Sequence, residues 1–180
     1  MRGRGIMLRS GTHGVYNNKE YYITRNIGKD KVKLLSKDEK DLEKGFEYVK
    51  EKHYTKIVPR EEITAYIRIT PKCRYKDHIF YVLTESKERE ELRIGLIGSQ
   101  YADLCKKLGF QEVDRGVYEK WVLRSEVDGV WEEKIEKEDY GGHFKKGAPL
   151  LKVRDQTGEE EVIGVYDGEK LILFNEKEQE

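Results

Sequence analysis

With 180 residues, 37% hydrophobic and 39% charged, the chain has the length of one domain with a small appendage and a lean core under a charged surface. Lys plus Arg and Asp plus Glu number 35 each, so net charge supplies no general attraction to nucleic acid. No run approaches the roughly 18–20 apolar residues of a membrane span, and neither a signal peptide nor a disulfide framework is visible, which leaves a reducing cytoplasm as the expected compartment.

In chain order, residues 1–11 read as a frayed tail. His13–Arg25 reads as a hairpin about Asn17-Asn18, because Asn accepts the positive φ angles of a type I′ turn. Lys31–Leu35 is a third strand. Ser36-Lys-Asp-Glu39 then matches a capping box, which opens a short helix over about 37–44 that Gly45 stops. Tyr54–Val58 is a strand ended by Pro59, with one helical turn at Arg60–Ile63. Thr64–Thr70 alternates as a half-buried strand does.

Pro71–Asp77 reads as a polar connection, His78–Thr84 as a strand, and Glu85–Glu91 as a charged loop or helical turn. Leu92–Ile97 is again a strand. The clearest helix follows over about 99–108, where Tyr101, Leu104, Cys105 and Leu108 share one face before Gly109 ends it. Gln111–Val113 and Val117–Leu123 are extended, and Val127–Ile135 fits helix or strand. Residues 136–149 form a long loop or linker. Leu150–Arg154, Val162–Tyr166 and Glu169–Phe174 make a meander over 150–175, turned at Gln156-Thr-Gly158 and Asp167-Gly168 and packed on a main domain of residues 12–135. The fold class is α+β, mostly antiparallel sheet in hairpins and meanders, with two or three short helices. Gly14-Val-Tyr16 returns as Gly164-Val-Tyr166 and is echoed by Gly116-Val-Tyr118. Copies so far apart with unlike flanks read as separate hairpins, since a tandem array would keep a fixed period.

Chemical motifs are sparse. His13, His53, His78 and His143 show no metal-ligand spacing, and neither metal nor cofactor is expected. Cys105 falls on the apolar helix face, where a buried thiol is inert. Cys73, between Lys72 and Arg74, reads as an ordinary exposed loop thiol. Ile94-Gly-Leu-Ile-Gly-Ser99 joins strand to helix but lacks the third glycine and acidic residue of a dinucleotide site. Leu104–Phe110 looks like the closing part of GNAT-class acetyltransferases, without their phosphate-binding loop. Arg2-Gly-Arg-Gly5 and tyrosines interleaved with lysines (Lys19–Tyr22, Tyr48–Tyr54, Arg74–Lys76) keep an RNA- or ligand-binding module as an alternative.

A family pattern joins several of these segments: His13–Ile23, Val32–Ser36, Lys44-Gly-Phe46, Tyr54–Val58, Leu108-Gly-Phe110 and Asp114–Val122. Together, over about residues 12–135, they resemble small Firmicute-type immunity proteins that accompany secreted polymorphic toxins. The resemblance implies a cytoplasmic, non-catalytic inhibitor that binds one cognate toxin domain, and it carries over no binding residue. A partner surface needs aromatic anchors and complementary charge. Glu88, Glu90 and Glu91 offer an acidic loop suited to a basic toxin, and Trp131 with Glu132 and Glu133 offers an anchor flanked by acid.

Overall fold

The computed structural model describes residues 8–154 and 157–174. Fourteen strands form one continuous antiparallel sheet: β1 (Gly11–Tyr16), β2 (Lys19–Ile27), β3 (Lys31–Ser36), β4 (Glu47–Lys50), β5 (His53–Pro59), β6 (Ala65–Tyr75), β7 (His78–Ser86), β8 (Glu91–Ile97), β9 (Gln111–Asp114), β10 (Val117–Leu123), β11 (Gly129–Lys137), β12 (Pro149–Arg154), β13 (Glu160–Tyr166) and β14 (Leu171–Leu173). Among the described residues helical structure is short: 3-10 turns at Glu39–Lys44, Arg60–Glu62, Ser99–Tyr101 and Arg124–Glu126, and one α-helix, α1 (Ala102–Lys107). The fold is therefore α+β and mostly antiparallel. The hairpins and meanders expected as separate units are enlarged into a single hydrogen-bonded sheet.

An internal duplication organises that sheet. In the first repeat β1, β2 and β3 run as a meander, a helical turn and β4 follow, and β5 pairs β3. The turn Arg60–Glu62 then leads into β6, which pairs β1. The second repeat begins in the C-terminal half of β6. Here β7 and β8 form the meander, α1 and β9 follow, β10 pairs β8, and the turn Arg124–Glu126 leads into β11, which pairs β6. Registers coincide: Val32 faces Val58 as Leu92 faces Val122, and Val15 faces Ala65 as Arg74 faces Gly129. Even the bulge recurs, between Ile23 and Arg25 and between Val82 and Thr84. Strand β6 thus closes one repeat and opens the other. Each repeat has a 3-10 turn before a last strand that returns beside the first.

The cores repeat position by position. Tyr16, Tyr21, Ile23, Val32, Leu34, Phe46, Tyr54 and Val58 fill the first. Tyr75, Phe80, Val82, Leu92, Ile94, Phe110, Tyr118 and Val122 fill the second. Polar details recur with them. The Lys56 ammonium donates to the Tyr16 hydroxyl at 3.0 Å and to the Lys44 carbonyl at 2.8 Å, and Lys120 does the same to Tyr75 at 3.1 Å and Leu108 at 2.8 Å. The Gly-Val-Tyr copies do not mark this duplication: Gly14-Val-Tyr16 ends β1, and the equivalent residues of the second repeat are Cys73, Arg74 and Tyr75 in β6.

The third block is shorter. β12, β13 and β14 extend the sheet from β11, and Leu150 and Ala148 pack with Ile135 in a small core of their own. Asn17-Asn18 is the expected tight turn, with φ of 48° and 62°. Asp167-Gly168 instead opens a longer connection to β14, in which the Asp167 carboxylate accepts from the Glu169 and Lys170 amides. Gln156 lies outside the described residues, as do residues 1–7 of the expected tail. Leu8 and Arg9 are anchored by their amides to Glu85 and Glu132.

Candidate functional site

The residues singled out from the sequence do not form one site. Glu88 and Glu90 are exposed at the β7–β8 connection, and Glu91 pairs with Arg89 at 3.3 Å. On β11, side chains alternate between faces. Trp131 is only 3% exposed, which corrects its expected role as an open anchor, and its indole N–H donates to Glu133. Glu133 also pairs with Lys72 at 2.8 Å, whereas Glu132, on the opposite face, is buried against Arg9. These carboxylates hold the chain together.

The cysteines and histidines fare similarly. Cys73 lies within β6 and is fully buried, not exposed in a loop; burial pushes its thiol up to about 12. Cys105 is also fully buried, and burial raises its pKa too. His13 is buried with its pKa lowered by burial, and its Nδ1 lies 3.2 Å from the Gly11 carbonyl. Among the described residues no cluster of three or more His, Cys, Asp or Glu side chains could hold a metal.

A different surface stands out on the second repeat. In β10, Tyr118 and Val122 point into the core, so Glu119, Trp121 and Leu123 point outward. Their cross-strand partners on β8 are Gly95, Arg93 and Glu91, and Tyr81 on β7 faces Gly95 from the other side. The result is an apolar face on which Trp121 is 41%, Tyr81 40%, Leu83 42% and Leu123 47% exposed. Paired charges frame it. Arg93 meets Glu119 at 3.1 Å, Arg124 meets Glu85 at 3.4 Å, and the Arg89 guanidinium stacks 5.0 Å from the Trp121 ring centroid. Beside Trp121 runs an open groove of about 320 Å³, lined by Arg93, Gln111, Val113, Glu119 and Lys120.

The first repeat carries a largely different surface at the same registers, although Tyr22 keeps the place of Tyr81. Its equivalent positions carry Ile57 for Trp121, Thr24 for Leu83, Lys33 for Arg93 and Thr55 for Glu119, on the same strand registers. Read from the sequence, Trp121 is assigned to the core, although a contrary signal is present: in Val117–Leu123 the period of two that buries Tyr118 and Val122 turns Trp121 to solvent.

Residues 8–138 match the family described as uncharacterised conserved protein UCP033725, and the chain belongs to that family. The matched span ends just after β11 and so takes in both repeats but not β12–β14. No match was found among curated proteins or among solved structures.

Proposed function

We propose that this family member is an immunity protein, which binds a cognate secreted toxin domain and neutralises it by covering it, without catalysis. The Trp121 face carries the reading. Trp, Tyr and Arg are the residue types that most often dominate the energy of a protein interface, and here Trp121, Tyr81, Arg89 and Arg93 cluster on one rigid sheet. The acidic connection Glu88–Glu91 borders that face, since Glu91 is the cross-strand neighbour of Leu123. It would meet basic groups on the partner, while Trp121 and Leu123 supply the apolar centre. Both thiols are buried with raised pKa values, so neither favours a nucleophilic role. No helix among the described residues is long and apolar enough to cross a membrane. A cytoplasmic site of action belongs to the proposal.

Co-expression with the product of the adjacent gene, which the proposal takes to be the toxin, is the test. Growth should be restored and a stoichiometric complex recovered. Unrelieved toxicity, with no complex on gel filtration, would sink the reading.

A further inference from the structure

A second cavity, of about 300 Å³, opens between the second repeat and the C-terminal strands. Tyr81, Tyr101 and Ile97 wall it on one side, Trp131 on another, and Ile163 and Leu173 on the third. Its charged lining residues are Lys72, Glu133 and Lys152. Trp131 and Glu133 are two apart on β11 and share a face, and Lys152 stands opposite Glu133 on β12. Glu133 is committed, to the Lys72 ammonium at 2.8 Å and to the Trp131 indole N–H at 3.0 Å.

Lys152 is not so committed. It is 6% exposed, its ammonium lies 4.2 Å from the Trp131 ring centroid, and it makes no hydrogen bond or ion pair among the described residues. Its other cross-strand neighbour, Glu161, is exposed and forms no ion pair with it. An aromatic face offsets part of the cost of burying an ammonium, and a carboxylate offsets more. Two ammoniums against one carboxylate leave the cleft one positive charge in excess, beside aromatic and aliphatic walls.

We propose that this cleft binds a small carboxylate with an apolar or aromatic body. The carboxylate pairs with Lys152, and the body rests against Tyr81, Trp131 and Ile163. The volume lies at the lower end of the roughly 300–1,000 Å³ of small-molecule sites, which suits a ligand about the size of benzoate or indole-3-acetate. The cleft shares Tyr81 with the edge of the Trp121 face, but its argument is carried by Lys152 and does not rest on the toxin reading.

Titration calorimetry on the full chain tests it, with benzoate, indole-3-acetate, benzyl alcohol and benzylamine as probes. At least one acid should bind about tenfold or more tighter than benzyl alcohol, with benzylamine weakest. Lys152→Met should reduce the acid to the level of the alcohol, while Lys152→Arg keeps the preference. If Lys152→Met does not fold, the order of the four probes on the unaltered chain still decides. Equal affinities, a preference for the amine, no binding of either acid at about 10 mM, or acid binding that survives in folded Lys152→Met overturns the proposal.

Discussion

Gly14 and Cys73 occupy the same place in the two repeats, and their neighbours explain the difference. A Cβ on Gly14 would come within 3.0 Å of the Ile23 δ-methyl and 3.1 Å of an Ile63 methyl. In the second repeat the corresponding residues are Val82 and Val127, which lack the δ-methyl, and the Cys73 side chain takes the space. Gly14→Ala should therefore cost about 1–3 kcal/mol through overpacking. Adding Ile23→Val should recover part of that loss, read as non-additivity in urea unfolding. A second exchange involves charge. Asp41 is fully buried and accepts from Ser36, Lys19 and Tyr21, with Lys44 at 3.2 Å. Burial alone would raise its pKa, but these donors outweigh burial and hold it at about 2. The second repeat replaces the group together: Cys105 for Asp41, Leu96 for Ser36, Phe80 for Tyr21, Leu108 for Lys44 and His78 for Lys19. A carboxylate held below its usual pKa near 4 contributes stability above that value and loses it as pH falls toward the folded one. Asp41→Asn should thus be less stable than the parent at pH 7. It should lose less between pH 4 and pH 2, as denaturant midpoints at each pH will show.

At the scale of elements, the two opening turns share one backbone and differ in chemistry. Asn17-Asn18 has φ of 48° and 62°, and Lys76-Asp77 has 47° and 66°. Lysine is poorly suited to positive φ, so Lys76→Asn with Asp77→Gly should stabilise the chain by about 1 kcal/mol. That corresponds to about 2–4 °C in thermal midpoint. An unchanged or lower midpoint would contradict the turn assignment. Such turns are legible in sequence where Asn, Asp or Gly marks them, as are the alternating strands and the helix ended by Gly109. Other elements were hidden for physical reasons. Pro71 and the charged residues around Cys73 disguised β6, which continues to Tyr75; Pro71 sits where β6 passes from pairing with β1 to pairing with β7, a junction that tolerates the missing N–H. The short strand β4 is exposed along its whole length and has no buried period to read. For β11, the pattern fitted helix and strand alike until pairing with β6 and β12 decided it.

At the scale of the molecule, the duplication was the least legible feature. The repeats differ in length in the β2–β3 and β7–β8 connections and in the helical segment, so no fixed period survives, and the shared strand β6 removes any boundary between them. What persists is the set of buried positions, which only contacts reveal. The family match over residues 8–138 and the separate small core of Ile135, Ala148 and Leu150 suggest where the chain divides. A chain ending after Glu138 should keep the two-repeat fold and its antiparallel-sheet circular dichroism while losing the Lys152 cleft; loss of cooperative unfolding would show that the last strands are integral. The exposed face of the second repeat is the feature that duplication leaves unexplained, because Ile57 suffices at the position of Trp121. Affinity for the product of the adjacent gene, the proposed toxin, measured by calorimetry for the parent, Trp121→Ala and Ile57→Ala, tests the central claim most directly. The account predicts that Trp121→Ala loses about 30-fold or more, a cost of about 2 kcal/mol, while Ile57→Ala stays within about threefold. Equal affinities for all three proteins, or no complex at all, would contradict it.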